Sequence, residues 1–164
     1  MALLAFLLLP GLATAQRDEA EGPAWAEQQA EFPAAPKPEN LGPFVPAAPT
    51  DNRFFVDRTS IRVDGDGVVR YVLVVQSPAG AANVSYEGMR CSTAELKVYA
   101  FGRKDGGWSP ARNPKWIPIP RNEPARQHAT LYLDFFCPDR APVRSADEAV
   151  AALRQGGHPR ADSR

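Results

Sequence analysis

The chain holds two cysteines, Cys91 and Cys137, and two histidines, His128 and His158. With the carboxylates Glu87, Asp57 and Asp134 they are the side chains best suited to chemistry. A nucleophilic thiol needs an activated cysteine and a base in reach, and His128 precedes Cys137 by nine residues. Zinc needs about four ligands, so a site would consume both cysteines and both histidines, and no CxxC or HxxxH spacing exists. No metal or cofactor is therefore expected. A carboxylate or Ser-His-Asp hydrolase would use Glu87, Asp57, Asp134 and His128, yet no G-x-S-x-G, HExxH or phosphate loop surrounds them. No catalytic residue is assigned on this basis.

The fate of the thiols depends on the compartment. Leu3 to Leu12 is an apolar run broken by Pro10 and Gly11, and it ends in Ala13-Thr14-Ala15, the small-x-small pattern of a signal-peptidase site. Residues 1–15 read as a signal peptide, with Gln16 as the new first residue. No cysteine follows the cut, so no lipid anchor is expected, and no later run has the length of a transmembrane segment. The expected location is the periplasm or cell envelope. Two cysteines in an exported protein ordinarily pair, and a Cys91–Cys137 bridge would close a loop worth about 4 kcal/mol by chain entropy.

The chain carries 19 basic and 19 acidic residues. Six acids and two bases fall in residues 17–39, against twelve bases and ten acids in 40–139. Local charges this small exclude a nucleic-acid partner, which would call for a strongly basic face. Residues 16–50 form a proline-rich acidic arm, expected to be partly disordered. Trp25, Phe32, Leu41, Phe44 and Val45 leave open that it docks from about residue 40 onward. Residues 17–39 are expected to be dispensable for thermal stability.

Residues 51–157 read as a single compact domain. Arg53–Asp57 and Ser60–Val63 are short strand candidates, and Asp64-Gly65-Asp66-Gly67 is a hairpin turn rather than a calcium loop, since Val68 and Val75 occupy ligand positions. Val68–Gln76 is apolar on both faces and should be the central strand. Asn83–Cys91 and Glu95–Arg103 alternate as strands, with Tyr99 and Phe101 on one face, and Trp116–Ile119 suits an edge strand. Asn122 to Phe136 fits helical and strand periods alike, and Asn122-Glu123-Pro124 resembles a helix start. Ser145-Ala146-Asp147-Glu148 opens a helix ending at Gly156, with Val150 and Leu153 as its stripe. Residues 158–164 read as a disordered tail. The expected fold class is α+β: an antiparallel sheet with one or two C-terminal helices on one face, and one disulfide.

Aromatic and arginine side chains are the types enriched at binding hot spots, and Tyr86, Glu87, Arg90, Tyr99, Arg103, Trp108 and Trp116 form the candidate binding surface, with Phe101 nearby. The expected function is a non-enzymatic binding or assembly module that recognises an envelope protein or a glycan. The alternative is a small periplasmic hydrolase-like enzyme with a carboxylate/His site. The strings Asp66-Gly67-Val68-Val69-Arg70-Tyr71, Tyr86-Glu87-Gly88-Met89-Arg90-Cys91, Asp105-Gly106-Gly107-Trp108 and Phe136-Cys137-Pro138 resemble a small family of uncharacterised exported betaproteobacterial proteins named after a neisserial member. The resemblance spans roughly residues 40–138. It implies an envelope location and a compact domain, and it supplies no site residues.

Overall fold

The computed structural model describes residues 24–120, 122, 124 and 126–161. The leader at 1–15, the start of the arm at 16–23 and the last residues, 162–164, lie outside the described residues. Seven strands form one antiparallel sheet: β1 (Leu41–Phe44), β2 (Arg53–Val63), β3 (Val68–Gln76), β4 (Ala82–Arg90), β5 (Glu95–Gly102), β6 (Trp108–Pro110) and β7 (Ile117–Pro118). The order is β1-β2-β3-β4-β5-β6, with β7 also pairing on β5. Each long strand hydrogen-bonds to the next in sequence, through short turns that contain glycine between β2 and β3 and between β3 and β4, and that use Ala94 in a left-handed conformation between β4 and β5. At the β2–β3 turn Gly67 takes a left-handed φ of 77° and donates its N–H to Asp64. The two strand candidates at Arg53–Asp57 and Ser60–Val63 are one strand, with its register broken between Asp57 and Arg62.

Strand β3 is central, and its first seven residues are buried. Val69, Tyr71 and Leu73 join Phe54, Val56, Ile61 and Met89 in the larger core, closed by Leu131, Tyr132, Phe135 and Phe136 and by Ala149, Ala152 and Leu153. A short helix α1 (Gln127–Thr130) continues into a π-helical stretch, Leu131–Phe136, where Cys137 donates its N–H to the carbonyl of Tyr132. Helical spacing therefore prevails over alternation in this segment. The start lies later than Asn122, because Arg126 adopts a left-handed conformation (φ 54°) immediately before Gln127. Helix α2 (Ala146–Gln155) begins with Ser145 accepting the Glu148 N–H and ends at Gly156, φ 76°. Its buried stripe is Ala149, Ala152 and Leu153, while Val150 is only half-buried. Sγ atoms of Cys91 and Cys137 are bonded, with their Cα atoms 5.3 Å apart, tying the end of β4 to the helical segment.

The second sheet face buries Val72, Val74, Tyr86 and Tyr99. It is covered by the arm. Ala30 packs on this cluster, Phe32 lies edge-on to Tyr86 and near Trp108, and Trp25 lies edge-on to Trp116. The fold is thus arm, sheet and helices in three layers. Residues from 24 to 39, expected to be dispensable for thermal stability, are in contact with the sheet. Replacing Trp25 and Phe32 together with alanine is expected to remove roughly 2–3 kcal/mol, a fall in Tm of several degrees measurable by circular dichroism.

The chain end also reaches further into the fold than a tail beginning at residue 158 would. His158 is buried, its N–H donates to the Asp134 carbonyl, and its Nε2 lies 3.1 Å from Glu148. The hydrogen bond from the Arg144 backbone N–H, with those from His158 and the Arg144 side chain, holds the Glu148 carboxyl down at about 2 against the opposing effect of burial.

Candidate functional site

Tyr86-Glu87-Gly88-Met89-Arg90 lies on β4, where side chains alternate between the two faces, and Cys91 follows at its end. Tyr86 faces the arm and is 1% exposed. Glu87 faces the helices and is 2% exposed. Gly88 lies beneath the Tyr99 ring, and a Cβ there would stand 2.6 Å from the Tyr99 hydroxyl, so the ring seats only because this residue is glycine. Met89 joins the helix-side core, Arg90 stacks its guanidinium 3.8 Å from the Trp25 ring centroid, and Cys91 carries the bridge. One string therefore supplies parts to both layers.

On the helix side, Glu87 is held by three partners. His128 Nε2 lies 2.9 Å from one carboxylate oxygen, the Tyr71 hydroxyl donates to that same oxygen at 3.0 Å, and the Ser85 hydroxyl donates to the other at 2.6 Å. Burial alone would push the Glu87 carboxyl up. The facing His128, with the Ser85 and Tyr71 hydrogen bonds, overcomes this and holds it below the ordinary glutamate range. Glu87 and His128 were the carboxylate and base of the hydrolase alternative, and the fold does bring them together. Asp57 does not join them, since its carboxylate accepts from the N–H and hydroxyl of Thr59 at the irregularity in β2. Asp134 sits in the π-helical stretch, where its carbonyl receives His158.

Beside this cluster opens a cavity of about 570 Å³ lined by Ala47, Thr93, Ala94, Pro118, Ile119, Arg126, Ala129, Tyr132 and Leu133. Its walls mix apolar side chains with Thr93, Arg126 and Tyr132, and neither Glu87 nor His128 lines it. Tyr132 turns its hydroxyl onto the Cys91 carbonyl. Two wall residues, Ala94 and Arg126, hold left-handed backbone at φ 54° each. That conformation costs a residue with a Cβ on the order of 1 kcal/mol or more, and such strain concentrates at functional sites.

On the arm side the candidate binding residues converge on the chain's own N-terminal segment. The Glu27 carboxylate accepts from Lys97 Nζ at 2.7 Å, the Tyr99 hydroxyl at 2.8 Å and Trp116 Nε1 at 3.1 Å. Trp108 Nε1 donates to the Pro33 carbonyl at 2.7 Å, and Trp25 Nε1 to the Asp66 carbonyl at 2.8 Å. Of the seven residues singled out as a surface, Tyr86, Glu87 and Tyr99 are buried, Arg90, Trp108 and Trp116 half-buried, and Arg103 exposed. Arg103 pairs with Asp105 in the β5–β6 turn and joins neither cluster. Phe101 departs from Tyr99's face. A bulge between the Tyr86 and Glu87 pairings places Phe101 opposite Ser85, where it stands 51% exposed.

Arg70, which was not selected, anchors the arm. It is 1% exposed and donates to Asp64 at 2.7 Å, to Asp66 at 2.7 Å and to the Gln28 carbonyl at 2.9 Å. Burial works against its charge, but these carboxylates raise its affinity for the proton beyond that of an ordinary arginine. The sequence did contain a signal, because a lone charge inside the most apolar strand must have partners. For Glu27, burial is outweighed by the Lys97, Tyr99 and Trp116 bonds, so its pKa is lowered. A depressed carboxylate stabilises the fold above its unfolded value, 4.5, and loses that contribution as the pH falls through the folded value. Tryptophan emission should therefore shift to the red below about pH 4.5. The shift should move to higher pH, or be present throughout, in Glu27→Gln.

A family model described as the CNP1-like family matches residues 20–154. The chain is 28% identical over 145 residues to "Cryptic neisserial protein 1" of Neisseria gonorrhoeae (strain ATCC 700825 / FA 1090), an alignment that covers 77% of this chain and 70% of that protein. No solved structure matches.

Proposed function

The chain belongs to the CNP1-like family, and on that premise we propose that it is an exported envelope protein acting as a non-enzymatic binding or assembly module. The observation that carries this is a separation. The groups suited to proton transfer, Glu87 and His128, meet in the core, whereas the 570 Å³ cavity is walled by Ala47, Ala94, Pro118, Ile119, Ala129 and Leu133 together with Thr93, Arg126 and Tyr132, and neither of the proton-transfer groups lines it. Such a cavity suits recognition of an apolar group rather than its conversion, and its volume is in the range of small ligand sites. Export is supported by the Ala13-Thr14-Ala15 pattern and by the Cys91–Cys137 bridge, which persists in oxidising compartments. Among the described residues no helix is long and apolar enough to cross a membrane.

The carboxylate/His hydrolase alternative keeps one observation in its favour, the 2.9 Å approach of His128 to Glu87. The two are separated by photo-crosslinking in intact cells from an unnatural side chain placed at Leu133 in the cavity wall, with Arg53 at the far end of β2 as the control position. A discrete adduct from Leu133 alone is expected for a binding module. Absence of an adduct, together with turnover of an ester or glycoside panel that disappears in His128→Gln, would favour the hydrolase.

A further inference from the structure

Backbone features that cost energy converge on the 570 Å³ cavity. Ala94 and Arg126 hold left-handed backbone on its wall, and Tyr132 and Leu133 belong to the π-helical stretch, a rare conformation found frequently at functional sites. The wall also changes character with depth. Thr93 and Arg126 are exposed at the rim, Ile119, Ala129 and Leu133 are half-buried, and Tyr132 is buried.

Most polar groups of the wall are committed within the fold. The Thr93 hydroxyl donates to Glu95, the Tyr132 hydroxyl to the Cys91 carbonyl, and the Ala47 N–H to the Thr130 hydroxyl. The Ile119 N–H donates to the Ala94 carbonyl, and the Tyr132 carbonyl receives the Cys137 N–H. Arg126 is the exception. It is the one charged side chain among the lining residues, and among the described residues its guanidinium has no ion-pair or hydrogen-bond partner.

An occupant must suit both ends. A guanidinium presents its N–H donors in a planar fork that matches the oxygens of a carboxylate or a phosphate, and it repels a cation. Deeper in, a peptide would bring backbone N–H and C=O groups to a wall whose own polar groups are already bonded, and each one left unmet weakens binding. A hydrocarbon chain brings none.

We propose that the cavity binds an amphiphile with a linear hydrocarbon chain and an anionic head, the chain lying against Ile119, Ala129 and Leu133 and the head on the Arg126 guanidinium. This rests on the reading of the cavity as a recognition site and names what it recognises. The head is a carboxylate, as in a free fatty acid, or a phosphate, as in a phosphate-ended lipid.

The test uses the full mature chain and isothermal titration calorimetry at neutral pH, with decanoate, decyl phosphate, decanol and decyltrimethylammonium each below its micelle-forming concentration. At least one of the two anions is expected to bind at least about tenfold more tightly than the alcohol and the cation, and the tighter anion identifies the head. Butyrate, which keeps the carboxylate and lacks six of the methylenes, should bind at least about a hundredfold more weakly than decanoate. Arg126→Gln removes an exposed side chain and should leave Tm unchanged while bringing the anions to the affinity of decanol. Equal binding of the anions and decanol, or an anion preference that survives Arg126→Gln, would overturn the anionic head and leave an apolar recognition site. Butyrate binding as tightly as decanoate would overturn the chain. Binding of no probe, with a discrete adduct still formed from Leu133 in cells, would overturn the amphiphile and leave the binding module standing. Binding of no probe and no adduct would overturn both.

Discussion

Replacing Glu87 with alanine is expected to remove about 3–5 kcal/mol of stability, because it takes one shared acceptor out of several buried hydrogen bonds, each costing about 1–3 kcal/mol when a buried polar group loses its partner. The loss has three sources. His128 is left facing a void, the Tyr71 and Ser85 hydroxyls lose their acceptor, and the tie between β4 and the α1 segment is gone. Glu87→Gln keeps the shape and part of the hydrogen bonding, and should cost roughly 1–2 kcal/mol. Urea unfolding at pH 7 measures both. The wild-type chain should also weaken in acid with a defined sign. The Glu87 carboxyl is held below its ordinary 4.5, so its contribution is complete above that value and is lost as the pH falls through the depressed one. Glu27 and Asp66 are lowered in the same direction and add to the same acid-side loss. Between pH 4.5 and the acid transition Glu87→Gln should therefore show a flatter stability profile than wild type. An equally steep profile would mean that other carboxylates dominate.

Changing both cysteines to serine is the second large effect. The bridge joins residues 46 apart in sequence, and closing a loop of that size is worth about 4 kcal/mol in chain entropy. The two sulfurs are 0% and 3% exposed at the residue level and sit among Phe136, Tyr132 and Met89, so the serine hydroxyls would be placed in an apolar setting and add to the loss. Equilibrium unfolding should show the midpoint falling by several degrees or more, with β4–β5 pairing retained. A double variant that melted with wild type would show that the helical segment is held by packing alone. The same variant distinguishes a structural bridge from a reactive thiol pair, because only the latter predicts loss of a chemical step.

Much of this architecture was legible because its signals are local. Alternation along Val68–Gln76 and Ala82–Arg90 assigns Tyr71 and Glu87 correctly to opposite pleats from Val72 and Tyr86, and glycine-bearing turns mark β2–β3 and β3–β4 as neighbours. The resemblance carried by Tyr86 to Cys91 and by Phe136 to Pro138 pointed to a compact body, and the bridge expected of two cysteines in an exported chain is present in the fold. What failed has a physical cause in each case. Phe101 was put on the Tyr99 face because alternation assumes an unbroken ladder, and the bulge in β5 breaks it. The helix before Cys137 is shorter than its prolines suggested, since Arg126 enters it from left-handed backbone, which no residue type announces. The arm was least legible. Its anchors Trp25, Glu27 and Phe32 are spaced irregularly, with no period for a ladder or a helix, and they are recognised by side chains far away in sequence, from Arg70 to Trp116. Of the candidate surface residues, Tyr86, Arg90, Tyr99, Trp108 and Trp116 meet the arm, whereas Glu87 and Arg103 do not.

The central claim is that the aromatic and basic face of the sheet is filled by the protein's own N-terminal segment. All three tryptophan indole N–H groups take part in that contact, donating to the Asp66 carbonyl, the Pro33 carbonyl and the Glu27 carboxylate. Hydrogen exchange at the three indole resonances in a ¹⁵N-labelled sample at neutral pH reads this directly. All three should exchange more slowly than a free indole, with Trp108 and Trp116 losing protection together in Glu27→Ala/Phe32→Ala. Exchange at the free-indole rate in the folded wild-type chain would contradict the account.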